Sequence, residues 1–216
     1  MTEPTDETKL TRTKRRWAAE GKFLTGKVVR SGHDRLPPGQ HLVRDWPILD
    51  LGTTPQVSEQ SFRLDVTGAI EHPASWNFSQ FKAQQQSDFV TDIHCVTTWS
   101  RYDNRWQGVS TRDLLNVVMP RAEARFVELH SSDGYTTNLT IEDFAAEDVI
   151  VAHSWEGRPL TRDHGGPVRL VVPHLYFWKR AKWLNRIHFL DRNKAGFWER
   201  NGYHDRGDPW QEERYS

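Results

Sequence analysis

At 216 residues, with Lys plus Arg balancing Asp plus Glu at 29 each, the chain has the length of one large domain that buries roughly 70% of its unfolded surface. Its neutral balance advertises neither a nucleic-acid surface nor an acidic partner, so any anion site must be local. No apolar run approaches the roughly 18 to 20 residues that span a bilayer, so no membrane span is expected.

Residues 1–20 are charged and lack apolar periodicity, which predicts a mobile N-terminal arm ahead of one domain over residues 21–216. Within the arm, Lys14-Arg15-Arg16-Trp17 resembles a twin-arginine signal. The segment after it, Ala18-Ala19-Glu20-Gly21-Lys22, is too polar to serve as its apolar region. A cytoplasmic location is expected, where a lone thiol stays reduced. Leu36-Pro37-Pro38-Gly39-Gln40-His41 predicts an ordered loop without regular structure. Phe62, Leu64 and Val66 alternate with polar residues up to Gly68, the period-2 mark of a strand.

Ser79 is read as the cap of a short helix running to about residue 86, and residues 89–95 as a strand that ends in a turn of small hydroxyl residues. Ser110-Thr111-Arg112-Asp113 resembles a capping box opening a helix that Met119-Pro120 stops. Residues 125–130 and 135–139 are predicted as a hairpin around Asp133-Gly134. Thr140 caps another short helix. Residues 149–152, 168–172 and 183–189 complete the strands. Many short strands with a few short helices predict an α+β domain built on mixed, curled β-sheets.

Three segments carry chemistry. The first is Asp92-Ile93-His94-Cys95-Val96-Thr97-Thr98-Trp99-Ser100, which holds the single cysteine of the chain. On its own Cys95 fits a small buried hydrophobe, a nucleophile or a metal ligand. A structural zinc site is disfavoured because adjacent His94 and Cys95 on a strand point to opposite faces. The second is His164-Gly165-Gly166-Pro167-Val168-Arg169-Leu170-Val171-Val172-Pro173. There Arg169 interrupts an apolar strand, so it either faces solvent or pairs with a buried phosphate or carboxylate. The third, Tyr176-Phe177-Trp178-Lys179-Arg180-Ala181-Lys182-Trp183, mixes cations with aromatics. That mixture suits an anionic, partly planar ligand as well as it suits an ordinary solvated turn.

Taken together, with Trp106-Gln107-Gly108-Val109 following the first, these segments resemble the molybdopterin-binding domain of the sulfite oxidase family over roughly residues 36–210. The resemblance implies a molybdenum-dependent oxidoreductase that transfers an oxygen atom to or from a small substrate such as sulfite or a sulfoxide. It implies molybdenum carried by one pyranopterin, with Cys95 as the protein thiolate on the metal. By position, His41, Ser131, His164, Arg169 and the stretch Arg180-Ala181-Lys182 would hold the pterin and its phosphate. Arg101, six residues after Cys95, is the nearest candidate cation for an oxyanion or S-oxide substrate. A separate electron-transfer protein is expected, because no haem, iron–sulfur or dinucleotide motif is present. The alternative is a non-catalytic molybdopterin-binding or electron-relay subunit.

Overall fold

The computed structural model describes residues 35–216, so the arm expected over residues 1–20, with its Arg15-Arg16 pair, lies outside the described residues. In chain order the strands are β1 (His41–Leu42), β2 (Arg63–Gly68), β3 (Ala74–Asn77), β4 (Ser87–His94), β5 (Trp99–Ser110) and β6 (Phe126–Ser131). They continue with β7 (Thr136–Thr140), β8 (Ile150–Trp155), β9 (Arg158–Pro159), β10 (Arg169–Val171) and β11 (Leu184–Leu190). Three short helices join them: α1 (Phe78–Lys82), α2 (Thr111–Val118) and α3 (Ile141–Phe144).

One sheet has the order β1-β5-β8-β10, with β4 also on β5 and β9 on β8; the other has the order β3-β2-β11-β6-β7. Both are mixed, since β1 runs parallel to β5 and β2 parallel to β11 while the remaining pairs are antiparallel. The α+β expectation therefore holds, with two sheets.

Strand alternation explains where the cores sit. Leu64 and Val66 of β2, Val127 and Leu129 of β6, and Ile187 and Phe189 of β11 meet Val151 and Leu170 of the first sheet, with Leu114 and Phe144 from the helices, in one cluster. The alternate residues of β8 and β10, Ile150, Ala152 and Val171, point to the other face and join Ile93, Cys95, Trp99, Trp106 and Tyr176 in a second cluster. The first sheet is thus covered on both faces, which is why residues 149–152 read as a continuous apolar run and residues 168–172 as one broken only by Arg169. Arg169 lies two residues from Val171 on β10, so it shares the Cys95 face.

Several local readings hold and others need correction. Ser110 accepts from the Asp113 N–H and opens α2, which Met119 ends in the left-handed region at φ 50°; Thr140 caps α3 in the same way. Helix α1 is capped by Asn77, in a reciprocal box with Gln80, and not by Ser79; it ends at Lys82 and not near residue 86. The loop at 36–41 carries one piece of regular structure, because His41 and Leu42 pair with Trp99 and Ser100.

Candidate active site

Cys95 follows the last residue of β4, where the chain reverses through a tight turn. The Cys95 N–H donates to the Trp99 carbonyl at 2.8 Å and the Thr98 N–H donates to the Cys95 carbonyl at 3.0 Å. Thr98 closes the turn at φ 71°, a left-handed conformation that strains a β-branched residue. The Gln40 amide donates to the Cys95 carbonyl at 3.1 Å, and Ser100 donates to Gln40 Oε1 at 3.3 Å. Cys95 is 3% exposed, and its sulfur lies 3.1 Å from Thr97 Oγ1. Burial pushes the thiol up, opposed by Thr97 and by the positive charges of Arg180 and Arg214. Beside it, burial and then Arg180 hold His94 down to about 3, so that ring is neutral, with Nδ1 2.8 Å from Ser100 Oγ.

Two buried guanidiniums stand behind this turn. Arg169, 1% exposed, lies over the rings of Trp46 at 5.1 Å and Phe177 at 4.7 Å, and its Nη1 donates to the His164 carbonyl at 2.7 Å. Burial alone pushes it down to about 9. The His164 ring stacks on Trp46 at 3.8 Å, and burial followed by Arg169 and Lys182 holds it down to about 4. Arg180, 2% exposed, covers the same Phe177 ring at 4.6 Å. It donates to the carbonyls of Val172, Pro173 and Leu175 at 2.8 to 3.0 Å. Phe177 thus bridges two like charges, each of which lowers its own pKa through burial. Among the described residues no carboxylate forms an ion pair with either. Such an arrangement is costly unless an anion is supplied.

Polar atoms without partners mark the same region. Among the described residues, His41 Nε2, Trp99 Nε1, Ser131 Oγ and Arg180 Nη1 are buried with no hydrogen-bond partner, and each such atom costs about 1 to 3 kcal/mol until one arrives. Three of the four belong to residues that the sequence assigns to cofactor binding.

The other assigned residues disperse. Ser131 ends β6 opposite Leu184; its neighbour Ser132 donates its N–H to the Trp183 carbonyl, and the Trp183 N–H donates to Gly165, so Ser131 sits at the Gly165 end of the site. The side chains of the stretch Arg180-Ala181-Lys182 point in different directions. Arg180 turns inward, Ala181 packs in the other core cluster, and Lys182 reaches out to the Asp163 carbonyl at 2.7 Å. Alternation of side chains along an extended segment separates them. Lys182 also packs under Gly165, where at φ +96° an added Cβ would meet Lys182 Cβ at 2.8 Å. Arg101 lies over Trp155 at 4.7 Å, bonded to the Arg44 carbonyl, Asn104 and Glu156, so it belongs to the rim and has a carboxylate partner.

Sequence reasoning missed Gln40, Trp46 and Arg214. Gln40 sits beside the assigned His41 in a loop already singled out, so a signal existed. Trp46 and Arg214 reach the site through tertiary contacts alone.

The sequence model of the family described as the oxidoreductase molybdopterin binding domain matches residues 51–198. The chain belongs to that family. An uncharacterized oxidoreductase of Bacillus subtilis, YuiH, is 47% identical over 193 residues, covering 88% of this chain and 98% of that protein. The sulfite oxidase of Arabidopsis thaliana is 25% identical over 179 residues, covering 67% of this chain and 46% of that one. The chain thus spans nearly all of YuiH and about half of the sulfite oxidase. The crystal structure of the sulfane dehydrogenase SoxCD from Paracoccus pantotrophus shares the fold, with a TM-score of 0.61 and 20% identity over 73% of this chain and 46% of that one. The described fold is that of a molybdopterin-binding oxidoreductase domain of the sulfite oxidase type.

Proposed function

We propose that this oxidoreductase moves an oxygen atom to or from a small sulfur-containing substrate, with Cys95 as the one protein ligand of a molybdenum ion carried by a single pyranopterin. The observation that carries the reading is the pair Arg169 and Arg180, both within 5 Å of the Phe177 ring centroid, two buried cations without a carboxylate partner among the described residues. A pterin phosphate satisfies their charge, and its ring system offers partners to the orphaned donors of His41, Trp99 and Ser131. The residues fit the group. Trp46 and His164 supply a flat stacked wall, and the protein's neutral imidazoles at positions 94 and 164 add no further positive charge. Among the described residues no three His, Cys, Asp or Glu converge on one point, so a metal at Cys95 draws its remaining ligands from the cofactor.

When bound, such a group supplies two-electron chemistry coupled to oxygen-atom transfer. The chain's own residues orient and tune it. The 95–98 turn fixes the sulfur, Gln40 braces the turn from the β1 side, and the thiolate is favoured by Arg180 and Arg214 against its burial. No side chain is required as an acid or base.

In this reading the two electrons of each cycle pass to or from a separate redox protein. Among the described residues no helix is long and apolar enough to cross a membrane, and the reading places the chain in the cytoplasm, where Cys95 meets a reducing environment.

The test is elemental analysis and pterin extraction on purified protein, with dye-linked turnover. One molybdenum per chain is expected, and Cys95→Ser abolishes turnover because a hard hydroxyl replaces a soft thiolate. Full turnover in that variant ends the assignment. Sustained turnover with NADH, NADPH or dioxygen alone, at the dye rate, removes the need for a redox partner.

A further inference from the structure

Arg180 owes its position to a loop. Its Nε and Nη2 donate to the carbonyls of Val172, Pro173 and Leu175, so the main chain of residues 172–175 wraps the guanidinium. Of residues 172–176 only His174 is not buried, and its ring is tied at both nitrogens. Nε2 lies 3.3 Å from Asp143 Oδ1 in α3, and Nδ1 lies 3.4 Å from Asp148 Oδ1, just ahead of β8.

Asp143 also anchors the carboxy-terminal segment. Arg206 Nη2 donates to it at 3.1 Å, and the carbonyl of the next residue, Gly207, accepts from the Tyr176 N–H at 2.8 Å. His174 and Tyr176 thus fasten one loop to two supports that meet at Asp143. The burial of Asp143 is outweighed by His174, Arg206 and Thr140, which hold it well below the usual carboxylate range, so it is ionised throughout the neutral and alkaline range.

The cluster also acts on Arg180 through space. Burial and then Arg169 lower the Arg180 pKa, and the Asp148 charge opposes them. A protonated His174 beside Asp148 compensates that carboxylate and leaves the Arg180 charge for an incoming anion; a neutral His174 gives Asp148 back its field.

We propose that His174 is a positioning residue for cofactor retention: through the 172–175 loop and by compensating Asp148, it keeps Arg180 in place with its charge available to a buried anion. This rests on the oxidoreductase reading and adds to it a control exerted from α3 and the protein surface. Burial of His174 is outweighed by its two carboxylate partners, which raise it to about 9. The ring is therefore charged at neutral pH, and its hold on Arg180 weakens as pH rises through about 9.

The experiment follows release of the cofactor from loaded protein at pH 7 and pH 10, as molybdenum retained on the protein and pterin fluorescence in the filtrate. It compares the wild type with His174→Ala, His174→Lys and Val66→Ala. Wild-type release should be roughly three- to tenfold faster at pH 10 than at pH 7. His174→Ala should already show the faster release at pH 7 and gain little more at pH 10. His174→Lys keeps its charge across this range and should release slowly at both pH values, which preserves the test if the alanine variant does not fold. Val66→Ala, a cavity in β2 with no change of charge, reports what lost stability alone does and should keep the wild-type ratio of the two rates. Equal pH ratios in the wild type, His174→Ala and His174→Lys overturn the proposal, because the slope then belongs to other groups such as Arg169. A lysine variant as fast as the alanine variant overturns it too. So does release from His174→Ala at pH 7 no faster than from Val66→Ala at the same loss of stability in urea. Wild-type protein purified without molybdenum or pterin refutes the oxidoreductase reading itself, and this proposal falls with it.

Discussion

Replacing Arg169 by Met should have opposite effects with and without cofactor. Burial lowers the Arg169 pKa from 12.5 to about 9. A drop of about 3.5 units costs the charged fold about 5 kcal/mol near neutral pH when no anion is present. Against this stand the bonds to the His164 and Leu170 carbonyls at 2.7 and 3.4 Å, worth together about 2 to 3 kcal/mol. The contacts over Trp46 and Phe177 add about 1 to 2 kcal/mol. Methionine fills the space of the aliphatic stem and removes the charge, so cofactor-free Arg169→Met should be as stable as the wild type or up to about 2 kcal/mol more stable. Cofactor-loaded protein should show the reverse, because the variant loses a charge-assisted phosphate contact and retains the pterin at least about tenfold less tightly. Urea unfolding of both proteins, produced with and without molybdenum cofactor, reads both arms. A loss of more than about 3 kcal/mol in the cofactor-free variant would show that the guanidinium is already satisfied by the protein, and the argument for a buried anion at Phe177 would fall.

Thr98→Gly removes a β-branched residue from φ 71° at the cost of unfolded-chain entropy, so thermal melting should show a neutral change or a gain of up to about 1 kcal/mol. Turnover should fall as the Cys95 turn loosens; a destabilisation above about 1 kcal/mol would contradict the strain. His174 is bonded to Asp143 and Asp148, which outweigh its burial and raise it to about 9 from 6.5. Its protonated form therefore supports the fold fully below about pH 6.5, and that support is withdrawn as pH rises through about 9, a change of about 1 to 2 kcal/mol once surface screening is allowed for. Unfolding midpoints measured between pH 6 and 10 should decline in the wild type and flatten in His174→Ala, and parallel curves would remove His174 as the cause.

Legibility in the sequence followed burial. β2 was readable because its apolar residues are buried while the alternate ones reach solvent, and the 126–140 hairpin because apolar and polar residues alternate around the Asp133-Gly134 turn, although Glu128 and Asn138 are buried as well. Helices α2 and α3 were readable from their caps. β5 was missed, although at twelve residues it is the longest strand among the described residues. Its middle, Arg101-Tyr102-Asp103-Asn104-Arg105, is polar and carries Asp103 at φ 54°, and its register shifts against both β4 and β8, so no alternation remains to read. Helix α1 was misplaced by two residues at its start because Asn77 and Ser79 are both good caps, and the reciprocal Gln80 contact decides between them. Cys95 was legible as the single thiol. Arg214 was not, since the contacts that bring it to Val96 and Pro38 span 118 and 176 residues, and no local pattern encodes a contact of that range.

The residues that violate the pattern of a buried strand are the ones that build the site. A sheet covered on both faces has no need of a guanidinium on β10, an imidazole with a bare nitrogen on β1, or a β-branched residue in the left-handed region beside its one thiol. Each lowers the stability of the fold, and each faces or adjoins the Cys95 side of the first sheet. On the opposite side Leu170, Val151 and Val109 pack against the second sheet in an apolar cluster, and the buried imidazole there, His153, has Lys82 and Gln86 as hydrogen-bond partners. Local rules broken together on one face, with consistent packing on the other, are the physical signature of a site that is completed by a ligand. The sign of the missing charge follows from the excess of cations on that face, so the ligand must bring negative charge into the interior. On the proposed reading a pterin phosphate near Arg169 and Arg180 brings that charge, and Cys95 supplies the thiolate on the same face.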